Sequence, residues 1–280
     1  MRDELTPPPR HPPPWRDRLV TLFRRRGWRG FVRLYDWLKP TTGRRHLRVV
    51  TRYGSQFFLN PWDSVDSHVI AEGFYESEVL EAVRPSLGPG AVLWVVGANF
   101  GLHAITAKWL YPETTVVAFE PSPALGARLL ENCELNAVAL DFHAYALGEA
   151  ADAPPFFVNT SGNPGMSTLH PSDHFHYDGR FTIATLTGAH VIAHCRAPEP
   201  TALIVDAEGA EPEILRGLGA HLASPALRAI VFEAPNDLLE RRPPAELSLL
   251  LRDAGFSVTR LERREATAHA ASNFLAVRVR

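Results

Sequence analysis

Residues 91–120 read AVLWVVGANFGLHAITAKWLYPETTVVAFE. The continuous apolar run at 91–96, rich in β-branched residues, predicts a strand buried on both faces. GANFG at 97–101 is a glycine turn, after which Leu102, Ile105, Trp109 and Leu110 recur at helical spacing. A second apolar run at 115–119 ends on Glu120. Strand, glycine turn, helix and strand make one βαβ unit of a parallel sheet. In open α/β sheets ligands bind beyond the carboxyl ends of the strands. Both the glycine turn and Glu120 lie there.

The residues at those ends suggest a ligand. Gly97 has no Cβ, so the chain can turn sharply and a ligand can approach the backbone. Gly101 stands where a side chain would crowd the helix start, whose N–H groups attract an anion. An ionised Glu120 only accepts hydrogen bonds, which suits ribose hydroxyls. A dinucleotide fingerprint, G-x-G-x-x-G, would need glycine where the chain has Asn99 and Leu102. A ligand with ribose and no phosphate fits better, and S-adenosylmethionine is such a molecule. The plainer alternative is an ordinary βαβ unit with no ligand.

Length and composition set outer bounds. The chain has 280 residues, 45% of them hydrophobic, enough for one large α/β domain with an extension or for two small domains. A formal net charge of −2 implies no general attraction to nucleic acid. Cys133 and Cys195 cannot form a disulfide framework and show no CxxC spacing, which suits a reducing, cytoplasmic compartment. The first residues, MRDELTPPPRHPPPW, lack the apolar core of a secretory signal, and no apolar run approaches the roughly 20 residues that span a bilayer.

Residues 1–14 hold six prolines and read as a disordered or extended tail. In 15–46 the chain changes character. Over 15–38 arginines alternate with Trp, Leu and Phe in a basic amphipathic helical pattern bent near Gly27 and Gly30. Such a helix either packs its aromatic face on the main domain or lies on an anionic membrane surface. Residues 47–280 form the main domain in this reading. LRVVTRYGSQFFLN at 47–60 predicts a hairpin turning at Tyr53 and Gly54. A helix follows over 70–83, with Leu80 and Val83 inward and Glu76 and Glu78 exposed.

Beyond Glu120, Pro121 opens a turn, and 124–136 reads as a helix with Leu125, Leu129, Leu130 and Cys133 on one face. Residues 141–147 predict the third parallel strand, with Ala146 and Leu147 at the end where an adenine ring would rest. The segment 149–200 has poor periodicity and reads as a lid or substrate loop, with one extra strand at 181–186. His170, Asp173, His174, His176 and Asp178 lie close together in it but match no standard ligand spacing, so solvated loop residues are expected and no metal site is assigned. A fourth strand at 202–205 runs into DAEGAE (206–211), with a helix starting near Pro212. Asp206, Glu208 and Glu211 would thus cluster at a strand end, able to hold an ammonium, orient a hydroxyl, act as a base or cap the helix. Strands are further expected at 228–233, 257–262 and 274–280, with a helix at 246–254.

Several short motifs then agree in order. GANFG (97–101), FEPSP (119–123), Asn132 with Leu135 and Asn136, ALG (146–148), DAEGAE (206–211) and NFLAV (273–277) resemble the FkbM family of S-adenosylmethionine-dependent methyltransferases, as does GFYE at 73–76. The resemblance spans about residues 60–277. It implies an α/β class I methyltransferase Rossmann-like fold: a seven-stranded, mostly parallel sheet with helices on both faces and a reversed last strand, here preceded by a helical and β-hairpin extension. It implies methyl transfer from S-adenosylmethionine to a hydroxyl of a small-molecule or glycan acceptor, a sugar, glycolipid or natural product. Carried over by position, Gly97, Ala98, Asn99, Gly101, Glu120, Pro121, Ala146, Leu147 and Asp206 bind the cofactor, and Asp206 and Glu208 sit near the transferred methyl. The chain has Val95 and Ile204 where the family usually has an acid and often a lysine. That departure keeps a catalytically impaired binding module as an alternative, with a nucleotide-dependent oxidoreductase as a third.

Overall fold

In the computed structural model, which describes Arg18 and residues 47–159, 164–171, 176–235, 245–262 and 271–279, the main domain opens on a hairpin. Leu47–Val50 (β1) pairs antiparallel with Gln56–Leu59 (β2). The proline-rich tail and the basic stretch at 15–38 lie outside the described residues, Arg18 excepted. Among the described residues no helix is long and apolar enough to cross a membrane.

The single helix expected over 70–83 is two. Ser64–Glu72 (α1) ends at Gly73, and Ser77–Val83 (α2) begins after Glu76; both linking residues hold positive φ, 88° and 50°. Between them Phe74 turns inward and packs edge-on against Tyr53 and His103. The break buries Glu76 and Glu78, which helical spacing had placed on the outside.

The βαβ unit forms as its pattern requires. Val92–Val96 (β3), Leu102–Leu110 (α3) and Thr115–Phe119 (β4) are followed by Pro123–Asn136 (α4) and Asp141–His143 (β5). The expected strand at 141–147 is split. Only β5 pairs with β4; the chain then leaves the sheet, and Ala146–Leu147 (β6) pairs parallel with Thr185–Leu186 (β9). The strand expected at 181–186 divides likewise, because Gly179–Thr182 (β8) pairs instead with Pro155–Val158 (β7). The variable segment also carries a short helix, Gly188–His194 (α5), that its weak periodicity did not announce.

Ala202–Val205 (β10), Glu211–Gly217 (α6), Ala229–Pro235 (β11), Ala245–Asp253 (α7), Phe256–Arg260 (β12) and Ala271–Arg278 (β13) complete the chain. The seven-stranded sheet has the order β5-β4-β3-β10-β11-β13-β12, with β13 antiparallel to both neighbours. Its central strands are apolar at nearly every position because both faces are covered. Leu93, Val95, Ile204 and Val231 face a core shared with the hairpin and α1 to α4. Trp94, Val96, Leu203, Val205, Ile230 and Phe232 face the opposite core, under α6 and α7. Strand order reverses between β3 and β10, so the crevice for a ligand opens at their carboxyl ends.

Two asparagines of α4 fasten the hairpin to this frame. Asn136 Oδ1 accepts the N–H of Gln56 at 2.8 Å while its Nδ2 donates to the Gln56 carbonyl at 2.6 Å. Asn132 Oδ1 accepts the N–H of Phe58 at 2.9 Å, and its Nδ2 donates to the Phe100 carbonyl at 3.0 Å. Their amides thus take the place of a further strand at the edge of β2 and tie it to the glycine turn.

Candidate active site

The glycine turn is held by the strand beside it. The N–H groups of Gly97 and Ala98 both donate to the Phe119 carbonyl, at 3.0 and 2.9 Å. Gly97 has φ 78°, and a Cβ there would stand 1.7 Å from the backbone oxygen of Asp206. Glycine is therefore required by the close passage of β10. At Gly101 a Cβ would lie 2.6 Å from Ile105 Cδ1 and 3.2 Å from Leu129 Cγ, so this residue lets α3 pack on α4. Ala98 is buried. Neither Ala98 nor Gly101 belongs to the cavity wall; both brace the turn.

Glu120 closes the turn from the other side. Its Oε2 accepts the Asn99 N–H and its Oε1 the Ser122 N–H, each at 2.8 Å. The residue is 5% exposed. Burial pushes its pKa up to about 7, against the two N–H bonds that favour the ionised form. Each oxygen has spent one acceptor position, which leaves the carboxylate able to accept two further hydrogen bonds.

These groups open on a cavity of about 550 Å³, within the usual size of small-ligand sites. Of the residues singled out in the sequence, Gly97, Asn99, Glu120, Pro121, Ala146, Leu147, Asp206 and Glu208 line it together. Phe119, Pro121, Leu125, Ala146 and Leu147 supply an apolar flank beside Glu120. The variable segment contributes Phe156, residues 164–167 and Leu169, and the α1–α2 region contributes Ser64, Val65, Tyr75 and Glu76. Tyr75 and Glu76, quoted only within the GFYE motif, were not read as site residues, because a continuous helix over 70–83 leaves Glu76 exposed. Glu233, the acid near the end of β11, also joins the wall. In the sequence it is only the last residue of the strand expected at 228–233.

The acids at the end of β10 divide their work. Glu211 accepts the N–H of Ala207 at 2.9 Å and that of Gly209 at 3.1 Å, so it ties down its own turn. Glu208, at φ 50°, lies in the cavity wall, and its carbonyl accepts the Thr168 hydroxyl at 2.8 Å. That bond fixes the variable segment to the acidic turn. Burial, then the charges of Asp206, Glu211 and Glu76, push the Glu208 pKa up to about 8. Asp206, Glu208 and Glu233 each place a carboxylate oxygen within 4.8 Å of the others. Oxygen donors so gathered suit a hard divalent cation or an organic cation. Among the described residues no other group of three candidate ligands comes together. His170 lies 3.8 Å from Glu213 and His176 3.8 Å from Asp178, while Asp173 and His174 lie outside the described residues.

The donor set fits an adenosyl ligand: a buried acceptor beside an apolar slot, and carboxylates for a cationic end. Residues 96–258 match the methyltransferase FkbM domain. The chain is 27% identical over 242 residues to the hexuronic acid methyltransferase AglP of Haloferax volcanii, covering 84% of this chain and 93% of that protein. It is 32% identical over 142 residues to methyltransferase 1 of Beauveria bassiana, covering 44% of this chain and 56% of that protein. Among solved structures, magnesium protoporphyrin IX methyltransferase of Synechocystis PCC 6803 aligns with 94% of this chain and 97% of its own, at 14% identity and a TM-score of 0.46.

Proposed function

We propose that this chain, which belongs to the FkbM family of S-adenosylmethionine-dependent methyltransferases, methylates a hydroxyl of a neutral sugar or of a sugar-like natural product. Neither alternative raised by the sequence, the impaired module or the oxidoreductase, finds support in the family match. The observation that carries the reading is the meeting of Glu120 with Asp206 and Glu208 in one cavity.

S-adenosylmethionine supplies a methyl group already activated by a sulfonium. The protein's part is to bind, align and move one proton. Glu120 accepts the two ribose hydroxyls through the positions its backbone bonds leave open. Pro121, Ala146 and Leu147 flank the adenine. The Glu208 carboxyl, pushed up to about 8, is a base matched to an acceptor hydroxyl near neutral pH, with Asp206 beside it. Phe156, Met166 and Leu169 exclude water on the acceptor side.

The relative AglP is named for a hexuronic acid. Here the described cavity wall holds five carboxylates, Glu76, Glu120, Asp206, Glu208 and Glu233, and no Lys, Arg or His. A uronate would bring a further negative charge with no partner among these described residues, which favours an uncharged acceptor. The test is calorimetry with S-adenosylhomocysteine, followed by transfer assays on matched glucosides and glucuronides. No heat on folded protein would sink the cofactor placement; faster methylation of the glucuronide would sink the neutral acceptor.

A further inference from the structure

Four of the five cavity carboxylates come from strand ends. The fifth, Glu76, comes from the break between α1 and α2. It is 4% exposed and sits at φ 50°, ψ 53°, a left-handed conformation disfavoured for any residue with a Cβ. Its side chain makes no capping bond to α2, although the position is that helix's cap. The backbone is fixed from two sides. Its carbonyl accepts the Val79 N–H at 3.0 Å and lies 3.3 Å from His103 Nε2, on the first turn of α3. Burial lowers the His103 pKa, so the ring is neutral and brings a hydrogen bond without a countercharge.

The charge of Glu76 is felt at Glu208, and with Asp206 and Glu233 it also borders a second, small void. Glu76 thus joins Asp206, Glu208 and Glu233 in one acidic part of the cavity wall, a lining that suits a cationic group. With the adenine set against Pro121, Ala146 and Leu147 and the ribose at Glu120, the rest of the cofactor would extend along the cavity towards Gly97 and Asp206. Glu76 stands there, beside the start of α3. The strand that leads into the turn offers no acid, since Val95 and Val96 are apolar and buried.

The geometry points to Glu76 as the residue that binds the α-ammonium of the cofactor's amino-acid end. This rests on the cofactor placement given under Proposed function. A carboxylate is needed there because only an anion both pairs with an ammonium and accepts its hydrogen bonds.

Calorimetry on the full chain separates this from a structural role. The ligands are S-adenosylhomocysteine and its deamino analogue, which carries hydrogen in place of the amino group. Glu76→Gln keeps an acceptor oxygen but removes the anion, and should weaken S-adenosylhomocysteine at least about tenfold, the lower end for a charge-assisted contact, and leave the deamino analogue within about twofold. Glu76→Gly suits the left-handed backbone and should keep or raise the melting temperature while showing the same selective loss. Unchanged S-adenosylhomocysteine affinity in both variants, or an equal loss of both ligands, would overturn the assignment. If the unaltered protein binds neither ligand, the cofactor placement itself fails and this inference falls with it.

Discussion

The carboxylate of Glu120 accepts the backbone N–H of Asn99 at 2.8 Å, so the acid that ends β4 also shapes the loop that follows β3. The proposed ribose contact at this residue would therefore not be separable from loop geometry. Glu120→Ala should abolish measurable S-adenosylhomocysteine binding and also leave the N–H groups of Asn99 and Ser122 without an acceptor, at a cost of about 1–3 kcal/mol each if no water replaces it. Glu120→Gln retains one acceptor and should be the milder change in both respects. Calorimetry and urea melts on the two variants check the order.

The raised pKa of Glu120 gives cofactor binding a pH dependence. Ribose hydroxyls need the ionised form as acceptor, so affinity should fall about tenfold for each unit of acidification below the pKa near 7. Stability of the ligand-free protein runs the other way. The folded pKa lies above the ordinary value of 4.5, so folding favours the protonated acid. That contribution is complete below pH 4.5 and is lost as pH rises through 7. S-adenosylhomocysteine titrations between pH 5.5 and 8, with proton release read from buffers of different ionisation enthalpy, measure the first effect. Glu120→Gln should flatten its share of it.

Much of this was legible in the sequence because it is local. A βαβ unit announces itself through apolar runs and a glycine turn, and the acids at positions 120, 206 and 208 sit at fixed offsets from strand ends. What escaped depends on distant partners. Glu76 looked exposed because nothing within the 70–83 pattern shows that Phe74 must turn inward against Tyr53 and His103. Ala146 and Leu147 looked like the end of a sheet strand because their partners, Thr185 and Leu186, lie far along the chain. Gly97 was read as a sharp turn open to a ligand, and it does line the cavity; what escaped is that the Asp206 carbonyl bars a Cβ there.

That close passage makes the two glycines of the turn unequal. Gly97→Ala meets rigid backbone at 1.7 Å, while Gly101→Ala meets first the movable tip of Ile105 at 2.6 Å. Both sit at positive φ, so both are strained. Gly97→Ala should destabilise by more than the about 1–3 kcal/mol usual for overpacking or fail to fold, and Gly101→Ala should fall within that range. Urea midpoints of the two variants decide it.

Asn136 bonds both the N–H and the C=O of Gln56. Asn136→Asp keeps the acceptor but replaces the donating amide with a buried carboxylate facing a carbonyl. It should destabilise by about 2–4 kcal/mol while S-adenosylhomocysteine affinity of the folded fraction changes little, because the hairpin lies behind the cavity wall. Loss of binding at full stability would mean that Asn136 belongs to the site.

The acid cluster allows the proton-transfer role to be tested apart from binding. If Glu208 takes the acceptor proton, Glu208→Gln should lower kcat by about 10²–10⁴, and S-adenosylhomocysteine affinity should stay close to that of the unaltered protein. Its raised pKa owes most to burial and then to the neighbouring charge of Asp206. Activity in the unaltered protein should therefore rise with pH towards a midpoint near 8. Asp206→Asn removes that negative neighbour and should move the midpoint to lower pH, whatever it does to the maximal rate. A direct charge contact with the methyl donor by Asp206 would instead show as weaker cofactor binding with an unmoved midpoint. The pH profile of kcat/KM and the calorimetric affinity, measured on the same variant, therefore distinguish a carboxylate that tunes its neighbour from one that grips the cofactor.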